Sequence, residues 1–282
     1  MRQIGNEQKN NAVFLRFKDV AATGGKALIC YVVGGYPTLD DSKDIIATLI
    51  QSGADIIEIG IPFSDPMADG PIIQKASLKA LKMGITPRDC FELASHTKKQ
   101  FFNTPLLSMT YSNIVFANNF TKFLKTAKKN SIDGFIIPDL NIEESNEYLK
   151  TCSELGLATV FLTAPNTNNE RLGKISAAST GFVYMVSVFG ITGSRTSFEK
   201  YTYEAISRTK SITKKNNIPL AVGFGISNSS DGKKILDAGA DGIIIGSSIL
   251  KIIMENEGNK QKMLNDLGTF IRDLKKACTT SG

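Results

Sequence analysis

Eight short apolar segments, rich in valine and isoleucine, recur along this chain with helix-like stretches between them, and that alternation restricts the fold more than any other feature. They are ALICYVV (27–33), DIIEIGI (55–61), LLSMTY (106–111), DGFIIP (133–138), ATVFLT (158–163), GFVYMV (181–186), PLAVGF (219–224) and DGIIIG (241–246). None alternates cleanly between polar and apolar residues, so both faces of each strand are expected to be covered, as in a parallel sheet flanked by helices. The stretches between them are amphipathic. In TLDDSKDIIATLIQSG, Thr38 and Asp41 have capping-box spacing, Ile45, Ile46, Leu49 and Ile50 form a stripe, and Gly53 marks the end.

Eight such units over roughly 250 residues match the (β/α)8 barrel in number and size. The expected fold is therefore α/β: a single TIM barrel domain over residues 1–282, with an extra N-terminal helix and with 1–13 as a loosely ordered segment. A doubly wound open sheet is the alternative. It would carry a nucleotide fingerprint after its first strand, where GGYP (34–37) stands instead of GxGxxG. An internal echo favours the barrel. GADIIEIG (53–60) and GADGIIIG (239–246) share the pattern G-A-D-x-I-x-I-G, with SIDGFIIPD (131–139) as a looser copy.

Several function classes fall away on composition. The formal net charge is +6, but the basic pairs Lys98–Lys99, Lys128–Lys129 and Lys214–Lys215 lie in polar stretches without interleaved aromatics. A mild preference for anionic ligands follows, and no nucleic-acid platform. The four cysteines, Cys30, Cys90, Cys152 and Cys278, form no CxxC. The single histidine, His96, sits in the helix-like FELASHTKK as a surface or packing residue, which excludes a Ser–His–Asp triad or a multi-histidine metal site. The apolar runs are too short to span a membrane, and MRQIGNEQKNNAVF is too polar for a signal peptide, so a cytoplasmic protein without membrane association is expected.

In a barrel the chemistry sits at the C-terminal ends of the strands. Two connections are long enough for functional loops, 62–76 and 187–200. The second, SVFGITGSRTSFEK, is either a solvated loop or a mobile lid. The last two strands end in GFGIS (223–227) and GSS (246–248), positions suited to a phosphate cradle of backbone N–H groups at helix starts. The acids lie on the opposite rim, in EIGIPFSDPMADG (58–70). Glu58 falls near the end of the second strand, with its side chain either inside the barrel or outward against a helix lysine. In the first case an apolar setting would raise its pKa into the range useful for proton shuttling. Asp65 and Asp69 can each be turn formers or functional acids. No lysine stands near a strand end to form a Schiff base, and one histidine does not make a zinc aldolase. Carboxylate proton transfer on a phosphorylated substrate remains, with Tyr31, Tyr111 and Tyr184 on expected strands as pocket candidates.

EIGIPFSDPMADGPIIQ (58–74) closely resembles the signature of the tryptophan synthase alpha chain family. GGYP, GITPRDCFE (84–92), YSNIVF (111–116), PDLNIEES (138–145), GITGSR (190–195), GFGIS and GSSILKII (246–253) follow in the family's order, from about residue 14 to residue 270. The resemblance implies retro-aldol cleavage of indole-3-glycerol phosphate to indole and glyceraldehyde 3-phosphate. It implies Glu58 as the acid/base, Asp69 as the carboxylate facing the indole N–H, and Tyr184 as the pocket tyrosine beside the glutamate. Thr192, in the closing loop, would orient the aspartate. Gly193, Gly223, Phe224 and Gly225 of GFGIS, Gly246 and Ser247 would fall at the phosphate end, and Tyr31, Met109 and Ile136 would line the indole pocket. No metal or cofactor is implied for this chain. Pyridoxal phosphate belongs to the family's beta chain, the expected partner in an alpha2beta2 tetramer, and Asp65 would lie on the face toward it. GGYP is preceded by VV where many members carry a threonine, and Val188 replaces a polar residue of some members; both would tune the pocket or lid. Competing readings are an indole-glycerol-phosphate synthase, which would need a strand-end lysine, a stand-alone indole-releasing lyase, and a weakly active subunit that mainly binds and activates a beta chain.

Overall fold

Eight parallel strands close into a barrel in chain order in the computed structural model, which describes residues 10–186, 195–223 and 225–279. α1 (Ala12–Ala22) precedes β1 (Ala27–Val33), followed by α2 (Leu39–Gln51), β2 (Ile56–Gly60), α3 (Pro71–Lys82), α4 (Pro87–Gln100) and β3 (Leu106–Met109). Then come α5 (Ser112–Ala117), α6 (Phe120–Lys129), β4 (Gly134–Ile136), α7 (Asn146–Leu155), β5 (Ala158–Thr163), α8 (Asn169–Ala178) and β6 (Val183–Val186). α9 (Arg195–Lys215), β7 (Leu220–Gly223), α10 (Ser229–Asp237), β8 (Gly242–Ile245), α11 (Ser247–Glu255) and α12 (Lys260–Cys278) complete the chain. Closure is direct: Ala27 to Cys30 of β1 pair with Gly242 to Ile245 of β8. No described helix is long and apolar enough to cross a membrane.

The absence of polar alternation in the strands has the expected cause, because both strand faces are buried. Inward residues such as Ile29, Ile56, Leu107, Val160, Ala221 and Ile244 fill the barrel, while Leu28, Cys30, Ile57, Ile59 and Ile243 pack outward under the helices. The extra helix α1 stoppers the N-terminal mouth. Its Val13 and Phe17 join the interior cluster, Phe17 meets the ring of Phe182 at 5.4 Å, and Asn11, its N-cap, donates from Nδ2 to the Thr180 carbonyl at 3.0 Å. Residues 1–9 of the segment expected to be loose lie outside the described residues, whereas Ala12 and Val13 already belong to α1.

The echoed aspartates all do the same thing at the floor of the barrel. Asp55, Asp133 and Asp241 each accept, through the carboxylate, an N–H near the start of the preceding strand: Leu28 at 2.8 Å, Leu106 at 2.9 Å and Leu220 at 2.8 Å. Each returns its own backbone N–H to that residue's carbonyl at 2.8 Å. Cations balance them: Arg16 and Lys275 on Asp55, Lys98 on Asp133, and Lys210 with Lys26 on Asp241. These are latches between successive βα units.

Several boundaries differ from those read in the sequence. Strand β3 stops at Met109, so Tyr111, expected on the strand, is the N-cap residue of α5. The long connection expected at 62–76 ends at Gly70, because Pro71, with φ preset and no N–H to lose, starts α3. The other long connection, 187–200, gives way to α9 at Arg195, and its residues 187–194 lie outside the described residues.

Candidate active site

A cavity of about 370 Å³ opens at the C-terminal ends of the strands. Tyr31 of β1, Glu58 of β2, Met109 of β3, Ile136 of β4 and Tyr184 of β6 contribute to its wall, and Asp69 enters from the loop between β2 and α3. Strand register explains the grouping. Tyr31 lies directly beside Glu58, and Glu58 beside Leu107 of the interior cluster, so all three share the inward face. The alternative in which Glu58 points outward to a helix lysine does not occur. The internal echo makes the same point: Ile136, Glu58 and Ile244 occupy the same place in the three copies, three residues after the latch aspartate, and all three line the cavity.

Glu58 is 1% exposed, and its Oε2 has no hydrogen-bond partner. A carboxylate stripped of water and left unpaired holds its proton. Burial first, and then the charge of Asp69, push the Glu58 pKa up to about 8. Asp69 is half-buried. Burial raises its pKa too, but a hydrogen bond from Tyr111 opposes the rise by favouring the ionised form. Two carboxyl groups in one cavity thus have different environments, the arrangement that separates an acid from a standing anion. Tyr31 and Tyr184 are held as neutral phenols, by burial first and then by the two acids.

Glycines make room for these phenols. A Cβ at Gly60 would collide with the hydroxyl of Tyr31, and one at Gly223 would come within 2.6 Å of Tyr184 Oη. Gly223 was expected at the phosphate end. It is the last residue of β7, paired with Val186 and Ile244, where its lack of a side chain seats Tyr184. Tyr111 also departs from expectation, since it is not among the residues lining the cavity and stands behind the loop that carries Asp69.

Gly225, Gly246 and Ser247 do line the far end of the cavity. Gly225 has a φ of 75°, which suits glycine. Gly246 is the N-cap of α11 and offers no side chain to its first turn, so the opening N–H groups remain available to an anion at the positive end of the helix dipole. At α10, by contrast, Asn228 accepts the Asp231 N–H at 2.9 Å. No lysine, arginine or histidine lines the cavity among the described residues, so an anion here meets neutral donors. Thr192, Gly193, Phe224 and Val188 lie outside the described residues. Sequence reasoning missed Leu162 as a lining residue, whereas Ser227 and Ser248 fall inside the GFGIS and GSS segments expected to cradle the phosphate. Leu162 was findable from its pairing position beside Tyr184; Ser248 Oγ donates to the Ile226 carbonyl at 2.8 Å and so ties the GSS segment to GFGIS. Among the described residues no group of three or more His, Cys, Asp or Glu side chains could hold a metal ion.

Comparison with known proteins agrees with this geometry. The family model described as tryptophan synthase alpha chain matches residues 17–279. The tryptophan synthase alpha chain of Petrotoga mobilis is 44% identical over 250 residues, covering 89% of this chain and 95% of the relative, and that of Photobacterium profundum is 39% identical over 265 residues, covering 94% and 97%. Among solved structures, tryptophan synthase subunit alpha from Legionella pneumophila superposes with a TM-score of 0.84 at 29% identity, covering 95% of this chain and 98% of that one. A barrel with a buried unpaired glutamate facing an aspartate, matched over nearly its whole length in sequence and in shape, places this chain in the tryptophan synthase alpha chain family.

Proposed function

We propose that this chain cleaves indole-3-glycerol phosphate into indole and glyceraldehyde 3-phosphate, with Glu58 as the proton shuttle and Asp69 as the standing carboxylate. The observation that carries the reading is the buried, unpaired Glu58 sharing a cavity with Asp69, with the uncapped start of α11 at the other end. The phosphate binds at Gly225, Gly246 and Ser247, and the indole lies among Tyr31, Met109 and Ile136 with Tyr184 beside Glu58.

The chemistry balances on these groups alone. Protonated Glu58 delivers its proton to indole C3, and the ring nitrogen becomes positive. Asp69, ionised, accepts a hydrogen bond from that N–H and stabilises the charge. Glu58, now a carboxylate, takes the proton of the hydroxyl on the carbon next to C3. The carbon–carbon bond breaks, its electron pair returns to the ring, and an aldehyde and neutral indole leave. Glu58 ends as it began, protonated, and a pKa near 8 lets it serve in both directions around neutrality.

The natural partner is a tryptophan synthase beta chain, in an alpha2beta2 assembly in which pyridoxal phosphate is held by the beta chain and this chain needs no cofactor of its own. Asp65, exposed on the rim loop, supports that docking face. The test is indole release by the purified chain with and without a beta chain. Weak release alone and strong release in the complex are expected. Equal rates in both conditions would leave a stand-alone lyase, and no release in either would remove the assignment.

A further inference from the structure

Tyr111 is 4% exposed and lies just behind the cavity wall. Its ring stacks on Phe63 at 5.1 Å with an interplanar angle of 26°. Its hydroxyl accepts the Ala68 N–H at 3.1 Å, which places it beside the next residue, Asp69, where it favours the ionised carboxylate. One side chain therefore grips the loop between β2 and α3 near its start and at its end. The grip is itself anchored. Ser112, the next residue, donates its N–H and its Oγ to the Asp139 carboxylate at 2.9 and 2.7 Å, which fixes the start of α5 against the connection that follows β4. Between the gripped points Ser64, Asp65 and Met67 are exposed, Met67 at 90%.

We propose that Tyr111 is a positioning residue for Asp69, holding the catalytic carboxylate at the cavity before any substrate arrives, and not a wall of the substrate pocket. The proposal rests on the reading of Asp69 as the partner of the indole N–H. Among the described residues four titratable groups face Asp69: Glu58 from β2, Tyr31 from β1, Tyr184 from β6 and Tyr111 from the start of α5. None is a cation. Tyr111 alone of the four favours ionised Asp69, while burial first, and then the charge of Asp69, keep the Tyr111 phenol protonated as a donor.

Tyr111→Phe tests this, because it keeps the ring on Phe63 and removes only the hydroxyl. Turnover of indole-3-glycerol phosphate should fall by about 10- to 100-fold with little change in KM, as expected when a reacting group is misplaced. The acid limb of the kcat/KM profile should move to higher pH, since Asp69 loses the contact that favours its ionised form. In an Asp69→Asn background the same change should cost nothing more. A readout that needs no turnover is the carboxyl 13C titration of Asp69 in the free protein, which should shift upward in Tyr111→Phe. An unmoved titration overturns the proposal, as does an equal loss of kcat in the Asp69→Asn background. If the unmodified chain fails to cleave the substrate while the Asp69 titration still responds to Tyr111→Phe, the proposed reaction is lost and the positioning role stands.

Discussion

Glu58 carries opposite consequences for catalysis and for stability. Glu58→Gln keeps the shape and removes the proton shuttle, so indole release should fall by about 10²- to 10⁴-fold, while binding at the phosphate end survives; near-normal turnover would remove Glu58 from the mechanism. Stability should move the other way. The folded pKa of about 8 lies above the ordinary value of 4.5, so between those limits the unfolded chain ionises while the folded chain keeps its proton. Folding stability therefore declines as pH rises from 4.5 to 8, by up to about 1.4 kcal/mol per unit. Glu58→Gln has no such group. Urea unfolding should find it more stable than the parent at pH 8 and level with it near pH 4.5, and parallel pH curves for the two proteins would contradict the buried, unpaired state. The glycine beneath Tyr184 gives a second residue-scale test. Gly223→Ala should cost about 1 to 3 kcal/mol through overpacking, and Tyr184→Phe in the same chain should recover part of it, because the collision is with Oη. Equal melting of the single and double variants would sink that account. The acids could be read from sequence because a glutamate in an aliphatic strand is anomalous by itself. The role of Gly223 could not, since a glycine within an expected phosphate segment says nothing about the phenol on the neighbouring strand.

At the scale of elements, the barrel floor is organised by the repeated latch. The echo G-A-D was visible in the sequence, but its meaning was hidden, because each aspartate's acceptor work is done for a strand about 20 to 30 residues earlier. The strand-by-strand reading succeeded because burial on both faces leaves an apolar run that needs no partner to be recognised. It failed at Tyr111, where an apolar-looking segment outlasts the ladder and turns into a helix cap. The latches differ in burial, and that ranks them. Asp55 is 2% exposed and holds both Arg16 and Lys275, whereas Asp241 is about a quarter exposed at its side chain. Asp55→Ala strands the Leu28 N–H and two cations, and should cost about 3 to 5 kcal/mol. Asp241→Ala should cost clearly less, because water can replace its partners. Turnover of the surviving folded fraction should stay near normal in both, since the floor is remote from the cavity. The check is denaturant unfolding beside indole release at low temperature, and a reversed ranking would mean that burial does not govern the latch.

Across the whole molecule the two ends of the barrel divide the work. The floor is closed by α1, with Phe17 against Phe182 and Phe182 in turn 6.4 Å from Tyr184, so the packing beneath the cavity is continuous from stopper to site. At the top, among the described residues, one loop joins the exposed rim to the cavity. Residues 61–70 run from the end of β2, past exposed Asp65 and Met67, to Asp69 in the cavity. Among the described residues Asp65 is hydrogen-bonded by its neighbour Ser64 alone, whose Oγ donates to it at 2.5 Å. A beta chain docking on that rim would load the same short segment that Tyr111 holds at both ends, and any shift would reach Asp69 four residues away. Activation should then appear in kcat and not in substrate affinity. Asp65→Ala separates this route from a general effect of assembly. The isolated variant should release indole at the parent's rate, as a solvated surface substitution away from the cavity should. In the presence of a beta chain its activation should fall by about 10-fold, the loss expected when one charged hydrogen bond worth roughly 1.5 kcal/mol disappears from the activated state. Measuring indole release against added beta chain distinguishes weaker docking, which saturation restores, from weaker transmission, which it does not. Full activation of Asp65→Ala at saturating beta chain would show that the rim loop is not the path by which the partner reaches Asp69.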